Sequence, residues 1–200
     1  MYITCLDLEG VLVPEIWIEF AEKSGIPELK KTTRDEPDYD KLMKYRIDIL
    51  KEHGLGLKEI QETIAKIDPL PGAKEFLDKL RANGQVIIIS DTFSQFAGPL
   101  MEKLGMPTIF CNELIVADNG EITGHKMRCD KTKLTTVKAL QSCGFETIAS
   151  GDSYNDLGMI EASKAGFLFR TTEEIKKSHP QYQAFEEYDE LFDAIMAAQK

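Results

Sequence analysis

The sequence predicts an α/β fold: a Rossmann-like parallel sheet with helices on both faces, and a small helical cap inserted after the first strand. Two features indicate this arrangement. From residue 71 onward, short apolar runs rich in β-branched residues alternate with helical patterns, which is typical of a parallel sheet covered on both faces. Between residues 14 and 68, three helical patterns follow one another without a strand. We therefore expect an α/β core of residues 1–13 and 69–200 and a cap of residues 14–68.

The N-terminal third of the chain is expected to form one strand and then the cap helices. Residues 2–8 are an apolar run of strand length. The helical patterns of the cap lie at 14–25, 38–54 and 57–67. Gly54 is expected to end the second of them, because glycine readily adopts the left-handed conformation that follows many helices. Residues 30–40 are polar and contain a proline, so we expect a loop there.

The rest of the chain alternates between strands and helices. Strands are predicted at 85–90, 108–111, 146–150 and 165–170. Helices are predicted at 71–84, 94–105, 131–144, 153–163 and 188–200. Residues 113–127 alternate around Asn119–Gly120, a dipeptide typical of the turn of a β-hairpin.

The composition restricts the classes of partner and leaves the oligomeric state open. The 200-residue chain has a formal net charge of −10, and since nucleic-acid backbones bind basic surfaces, we expect no nucleic-acid partner. No apolar run approaches the ~18 residues of a membrane span, and no basic segment precedes an apolar one at the start of the chain, so no membrane partner is expected. The four cysteines lie far apart with no C-x-x-C pair, which favours reduced thiols in a cytoplasmic protein.

Two acidic residues, Asp7 and Glu9, follow the first strand. Residues i and i+2 of an extended segment point to the same side, so these carboxylates should stand close together and repel each other. Ligands of open parallel sheets bind at the carboxyl ends of the strands. Two further polar segments, 90–92 and 151–156, also follow predicted strands. We expect all of these side chains to meet at one edge of the sheet, with Lys131 or Lys133 from the start of a helix.

A divalent cation would offset this clustering of carboxylates. Mg²⁺ prefers one or two carboxylates together with water and a substrate phosphate. A carboxylate can attack phosphorus to form an aspartyl-phosphate, and a second carboxylic acid can then exchange protons with the leaving and attacking oxygens. A hydroxyl and a lysine would stabilise charge on the transferring phosphoryl group. The pattern therefore predicts Mg²⁺-dependent phosphoryl transfer.

Four segments, "DLEGVLV", "IIISDT", "KTK" and "GDSYND", occur in this order. They resemble the four motifs of the haloacid-dehalogenase-like phosphatase superfamily, which supports a haloacid-dehalogenase-like core. Within it the chain resembles the phosphoserine phosphatase branch, and most of all the bacterial enzymes that combine phosphoserine phosphatase with homoserine phosphotransferase activity. The resemblance covers nearly the whole chain.

The resemblance implies a role for each residue of the four motifs. Asp7 would be the nucleophile and Glu9 the general acid and base. Ser90 would bind phosphate, and Lys133 would hold both the phosphate and the nucleophile. Asp152 would hold Mg²⁺ together with Asp7 and Glu9.

The chain departs from the usual superfamily pattern at two positions. Most members have Asp where this chain has Glu9, and the bifunctional branch shares the Glu. Asp91 follows Ser90 where "SGG" is usual, so we expect Asp91 to contact phosphate mainly through its backbone. Lys131 competes with Lys133 for the role of the motif lysine, and the spacing to "GDSYND" favours Lys133.

The cap is expected to recognise the rest of the substrate. By resemblance, Glu15 would bind an ammonium group and Arg46 a carboxylate, since arginine makes paired hydrogen bonds to carboxylates. Asn155 is a candidate for hydrogen bonding to the substrate, with helix capping as the alternative. Asp156 is expected to orient its neighbours, and Met43 to pack within the cap.

These observations predict an enzyme that hydrolyses O-phosphoserine, a small phosphorylated amino acid, and also transfers its phosphoryl group to homoserine. Two alternatives stay open. The enzyme could act on another small phosphomonoester, or the chain could be a non-enzymatic phospho-acceptor similar to a signalling receiver domain. Receiver domains have no helical insert after the first strand, so residues 14–68 argue against the second alternative.

Overall fold

A computed structural model describes residues 1–32, 35–36 and 38–200 of the chain. Thr33, Arg34 and Pro37, part of the predicted loop at 30–40, lie outside the described residues. The first residue of that predicted loop, Lys30, ends a short 3₁₀ helix, Pro27–Lys30.

The described residues form a seven-stranded sheet with the order β4-β3-β2-β1-β5-β6-β7. The strands are β1 Tyr2–Leu6, β2 Gln85–Phe93, β3 Ile109–Val116, β4 Ile122–Lys126, β5 Glu146–Gly151, β6 Ala165–Phe169 and β7 Gln183–Phe185. Neighbouring strands are parallel except β3 and β4, which form an antiparallel hairpin at one edge. The predicted α/β class and the predicted hairpin are confirmed.

Helices cover both faces of this sheet. They are α1 Ile16–Ser24, α2 Tyr39–Glu52, α3 Leu57–Ile64, α4 Ala73–Asn83, α5 Ser94–Lys103, α6 Thr132–Ser142, α7 Leu157–Ala162, α8 Glu173–Ser178 and α9 Tyr188–Ala198. Apolar residues of α4, α5 and α9 form a buried cluster on one face. Those of α6, α7 and α8 form a second cluster on the other face. Burial of apolar area on both faces supplies the main free energy that favours this fold.

The structure differs from the predicted elements in three places. Strand β2 continues to Phe93, which pairs with Asn112 of β3 after a bulge, a shift in register between Ile89 and Phe93. Strand β3 joins the predicted strand 108–111 to the first strand of the hairpin. Helix α8 and strand β7 were not predicted, because elements of six and three residues carry too little periodicity to be recognised.

The segment between β1 and α4 contains α1, the 3₁₀ helix, α2 and α3. Its apolar side chains join the same buried cluster as α4 and α5, and the ring centroids of Trp17 and Phe96 lie 5.1 Å apart. The Leu57 backbone N–H donates to the Gly120 carbonyl at the tip of the hairpin, over 2.8 Å. That residues 14–68 form a separate cap domain remains a prediction.

None of the helices in the described part of the chain combines the length and apolarity needed to cross a membrane. Cys5, Cys111, Cys129 and Cys143 are free thiols.

Candidate active site

The strand order brings the predicted motifs together. Strands β2 and β5 are the two neighbours of β1, so the segments that follow these strands meet at one edge of the sheet. They line a cavity of about 1010 Å³, whose opposite wall comes from α1 and α2. The cavity includes most of the predicted site residues: Asp7, Glu9, Glu15, Arg46, Asp91, Lys133, Asp152 and Asn155.

At the bottom of the cavity, a buried lysine bridges two buried carboxylates. Lys133 Nζ lies 2.9 Å from Asp7 Oδ1 and 2.6 Å from Asp156 Oδ1. The three residues are at most 4% exposed. Burial lowers the pKa of Lys133, but Asp156 and Asp7 outweigh it and raise that pKa well above its usual value. The ammonium group therefore stays charged beside Asp7.

The choice between the two lysines follows from this geometry. Lys133 lies in the first turn of α6 and is buried. Lys131 precedes the helix and is exposed, with a φ of 46°. Only Lys133 of this pair contacts Asp7 within the described residues.

Asp156 uses both of its carboxylate oxygens within the protein. Oδ1 accepts from Lys133, while Oδ2 accepts from the backbone N–H groups of Asp152 and Ser153, each over 3.0 Å. Gly151 makes this approach possible, because a Cβ at that position would lie 2.2 Å from the Asp156 Cγ. Asp156 therefore fixes the loop that carries Asp152, in keeping with the expectation that it orients its neighbours.

Asp152 lies across from Asp7, beside the turn that follows β1. At Gly10, with a φ of 77°, a Cβ would come within 2.4 Å of the Asp152 carboxyl carbon. Glycine is thus the residue that allows Asp152 to approach this turn. Burial, followed by the charges of Asp156 and Glu15, raises the pKa of Asp152 to about 7.

The acidic side chains at this position suit a divalent cation. Asp7, Asp152 and Asp156 each offer a carboxylate oxygen, and these oxygens lie within 4.8 Å of one another. Burial, and after it the charges of nearby carboxylates, raises the pKa of both Asp7 and Asp152. These three carboxylates face one nearby ammonium group among the described residues, that of Lys133. Hard oxygen donors with excess negative charge fit Mg²⁺. Asp156 belongs to this group of carboxylates by proximity, but its two oxygens already accept hydrogen bonds within the protein. The predicted ligand set of Asp7, Glu9 and Asp152 remains a prediction.

Glu9 is held by the backbone of the next helix. Its Oε1 accepts from the Ile16 N–H over 2.8 Å. Burial, together with the charge of Glu15, raises the pKa of Glu9 to about 8. A carboxyl group that holds its proton near neutral pH is suited to general acid catalysis.

The end of β2 forms one side wall of the cavity. Ser90 is buried and accepts a hydrogen bond from the Thr92 N–H over 3.2 Å. Asp91 accepts from Thr132 Oγ1 with one carboxylate oxygen and from Asn155 Nδ2, over 2.9 Å, with the other. Both carboxylate oxygens of Asp91 are used in this way, so the predicted phosphate contact of Asp91 would be made by its backbone. The phosphate-binding roles of Ser90 and Asp91, and the substrate-binding role of Asn155, remain predictions.

We name the wall of the cavity that α1 and α2 form the cap wall. Arg46 is buried in it, 5% exposed, and its guanidinium lies 4.4 Å from the centre of the Trp17 ring. Nη2 donates to the Lys31 carbonyl over 2.8 Å, whereas the buried Nε has no hydrogen-bond partner among the described residues. Burial lowers the pKa of Arg46, although nearby Tyr39, Glu9 and Glu15 oppose this. Glu15 is exposed and lines the same cavity. Met43 of α2 is fully buried.

The cavity is also lined by residues for which the sequence analysis predicted no role, among them Trp17, Tyr39, Thr92 and Thr132. Thr132 donates a hydrogen bond to Asp91. It lies beside Lys133 in the "KTK" motif, so the motif could have indicated that Thr132 is part of the site. Tyr39 begins α2, and its ring packs edge-on against His125 of the hairpin, with centroids 5.7 Å apart. That contact joins residues far apart in the sequence, which no local pattern indicates.

Comparison with known proteins agrees with this geometry. The family model described as haloacid dehalogenase-like hydrolase matches residues 12–161. The phosphoserine phosphatase ThrH of Pseudomonas aeruginosa is 52% identical over 191 residues, covering 96% of this chain and 93% of that protein. A phosphoserine phosphatase of Methanocaldococcus jannaschii is 30% identical over 174 residues, covering 80% of each chain.

A solved structure described as a phospho-aspartyl intermediate analogue of phosphoserine phosphatase shares the fold. It matches with a TM-score of 0.77 at 22% identity and covers 96% of this chain and 98% of its own. The strand-end motifs, the family model and the 52% identical relative agree. This chain belongs to the haloacid dehalogenase-like hydrolase family.

Proposed function

We propose that this chain is a Mg²⁺-dependent phosphatase of O-phosphoserine that works through an aspartyl-phosphate on Asp7, and that it also transfers the phosphoryl group to homoserine. The relatives that are 52% and 30% identical are both phosphoserine phosphatases by name. The observation that carries the proposal is one cavity lined both by the Asp7–Lys133 pair and by a buried arginine. That arginine, Arg46, has an Nε without a hydrogen-bond partner among the described residues.

The first half of the reaction forms the aspartyl-phosphate. Asp7 Oδ1 accepts from both Leu8 N–H and Lys133, so Oδ2 is the oxygen we assign to the attack on phosphorus. As the new oxygen–phosphorus bond forms, the bond from phosphorus to the serine oxygen breaks. Glu9 gives its proton to that oxygen, so serine leaves as a neutral alcohol. Lys133 stabilises negative charge on the phosphoryl group.

The second half reverses the proton transfer. Glu9, now a carboxylate, takes a proton from the attacking hydroxyl, the oxygen–phosphorus bond to Asp7 breaks, and the Asp7 carboxylate is regenerated. Water as the attacking group yields inorganic phosphate, and homoserine yields phosphohomoserine. Mg²⁺, held by Asp7 and Asp152 with Glu9 as the further predicted ligand, would neutralise charge on the phosphate in this acidic site.

Recognition of the amino-acid part falls to the cap. Arg46 would bind the substrate carboxylate and Glu15 the ammonium group, with Asn155 as a further polar contact. Homoserine carries the same two charged groups as serine and one additional methylene before its hydroxyl. A bound alcohol has a large entropic advantage over mobile water, so homoserine should compete for the aspartyl-phosphate.

The proposal is tested by phosphorus NMR of a mixture of phosphoserine, homoserine, Mg²⁺ and enzyme. We expect signals of phosphohomoserine and inorganic phosphate, and neither signal with Asp7→Asn. If inorganic phosphate is the only product at saturating homoserine, the proposed transferase activity is wrong and the enzyme is a phosphatase.

A panel of phosphorylated metabolites tests the remaining alternative, that the substrate is another small phosphomonoester. We expect kcat/KM to be highest for phosphoserine. A higher value for a phosphomonoester without an amino-acid group would contradict the roles given to Glu15 and Arg46. The cytoplasmic location remains a prediction of the composition.

A further inference from the structure

Glu9 lies in a tight turn, Leu8–Val13, which we name the post-β1 turn. Its shape is set by its own backbone: the Leu12 and Val13 N–H groups donate to the Leu8 carbonyl, over 2.8 and 3.0 Å. The Gly10 N–H donates to the Val13 carbonyl over 2.8 Å. These bonds are internal, so they do not determine where the turn lies relative to Asp7 and the sheet.

Two hydrogen bonds from distant parts of the chain hold the post-β1 turn in place. The Tyr188 hydroxyl donates to the Val11 carbonyl over 2.7 Å, and this bond is buried. The Leu70 N–H donates to the Leu12 carbonyl over 2.9 Å. Val11 and Leu12 are fully buried, and a buried carbonyl without a partner would be costly. Tyr188 thus binds the turn from the first residue of α9, which is 177 residues away in the sequence.

The Tyr188 ring is itself held on several sides. It stacks on Phe76 with centroids 4.9 Å apart and lies 4.8 Å from the Phe169 ring. The Arg170 guanidinium lies 4.6 Å from the ring centre. A Cβ at Gly72 would lie 3.2 Å from Tyr188 Cδ2. Burial raises the pKa of Tyr188 to about 12, so the hydroxyl keeps its proton and donates at neutral pH.

We propose that Tyr188 is a positioning residue for Glu9: its hydroxyl fixes the Val11 carbonyl and thereby holds the post-β1 turn where Glu9 reaches the leaving oxygen of the substrate. This inference rests on the proposed function, in which Glu9 is the general acid. Tyr188 is not among the described residues that line the active-site cavity. Its effect on the reaction passes through the backbone of the turn.

The leaving group provides a readout that a merely structural role would not change. Serine leaves as a poor alkoxide and needs the proton of Glu9, whereas p-nitrophenolate is a stable anion that needs no acid. The value of kcat/KM reports the steps up to release of the leaving group. A displaced Glu9 should therefore lower kcat/KM for phosphoserine and spare that for p-nitrophenyl phosphate.

The test is a double-mutant cycle of Tyr188→Phe and Glu9→Gln on the full chain. Tyr188→Phe keeps the stacked ring and removes one hydrogen bond, so we expect kcat/KM for phosphoserine to fall about fivefold. The value for p-nitrophenyl phosphate should change by less than about twofold, and Tyr188→Phe should cause no further loss in the Glu9→Gln background. Tyr2→Phe is the matched control. It removes a hydroxyl at the other end of β1 whose hydrogen bond among the described side chains is to Lys164. We expect kcat/KM for both substrates to stay unchanged in this variant.

Three outcomes for Tyr188→Phe would overturn the inference. They are equal losses of kcat/KM for phosphoserine and p-nitrophenyl phosphate, a fivefold loss that persists in the Glu9→Gln background, and an unchanged kcat/KM for phosphoserine. Failure of the proposed function looks different. If Glu9→Gln itself spares phosphoserine, Glu9 is not the acid, and the role of Tyr188 falls with it. If Glu9→Gln is impaired on phosphoserine alone and Tyr188→Phe behaves as wild type, only the inference about Tyr188 fails.

Discussion

The bottom of the active-site cavity and its cap wall differ in how far their charges are already paired. At the bottom, Lys133 bridges Asp7 and Asp156, and Asp156 binds two backbone N–H groups. In the cap wall, Arg46 keeps a buried Nε without a partner among the described residues, and Glu15 is exposed.

This difference indicates which part of the site is already ordered before the substrate binds. Groups that react must be held in place before the substrate arrives, and the bonds around Lys133 do this. Groups that recognise the substrate can complete their hydrogen bonds with it, and the Nε of Arg46, which has no partner in the described part of the chain, is suited to that. Chemistry and recognition should therefore respond to different mutations.

The largest effect is expected from breaking the charge pairing at the bottom of the cavity. Lys133→Met leaves Asp7 and Asp156 buried together without a cation, which should lower the free energy of unfolding by about 3–5 kcal/mol. Phosphatase activity should fall by about 10³-fold, because a preorganised charge is lost. Urea denaturation and phosphate release measure the two effects.

Lys131→Met is the matched control for that variant, since Lys131 lies two residues away in the same motif and is exposed. We expect a stability within about 0.5 kcal/mol of the wild type for this surface change. Similar losses of stability in both variants would mean that the pairing of Lys133 with Asp7 and Asp156 does not carry the stability of the site.

A smaller and more selective effect is expected from the cap wall. Arg46→Ala removes charge-assisted hydrogen bonds to the substrate carboxylate, so KM for phosphoserine should rise about 10- to 100-fold. p-Nitrophenyl phosphate has no such carboxylate, and its kcat/KM should change by less than about threefold. Arg81→Ala, at an exposed arginine of α4, is the control. If Arg46→Ala lowers kcat/KM equally for both substrates, Arg46 acts in phosphoryl transfer and not in recognition of the carboxylate.

The smallest effect is expected at Tyr39, which lies in the cavity near Arg46, Asp91 and Glu9. We expect the Tyr39 hydroxyl to donate a hydrogen bond to the substrate, so Tyr39→Phe should lower kcat/KM for phosphoserine about two- to fivefold. Tyr45→Phe, a more exposed tyrosine of the same helix, should have no effect. An unchanged kcat/KM in Tyr39→Phe would show that Tyr39 contributes to the site only through its ring.

The sequence was sufficient for those parts of the site that depend on strand ends. Asp7 and Asp152 follow predicted parallel strands, and because the carboxyl ends of such strands lie at one edge of the sheet, the sequence predicted that these residues converge there. That the two strands are direct neighbours was learned from the structure. The bulge at the end of β2 was not predictable, because it depends on the register between β2 and β3. Contacts between distant segments were equally inaccessible: Tyr39 with His125, and Tyr188 with Val11, arise only from tertiary packing.

Some choices that the sequence left open depend on burial. Lys131 and Lys133 are chemically identical and only two residues apart, and the start of α6 decides which of them points inward. Asp156 was expected to orient its neighbours, and its two oxygens accept hydrogen bonds from Lys133 and from the loop backbone.

The most direct test of separate chemistry and recognition is covalent labelling of Asp7. Enzyme quenched in acid during turnover of p-nitrophenyl phosphate is digested, and the peptide that contains Asp7 is examined by mass spectrometry. We expect a phosphorylated Asp7 peptide in the wild type and equally in Arg46→Ala, and none in Asp7→Asn. Loss of the label in Arg46→Ala, or a label that persists in Asp7→Asn, would contradict the account.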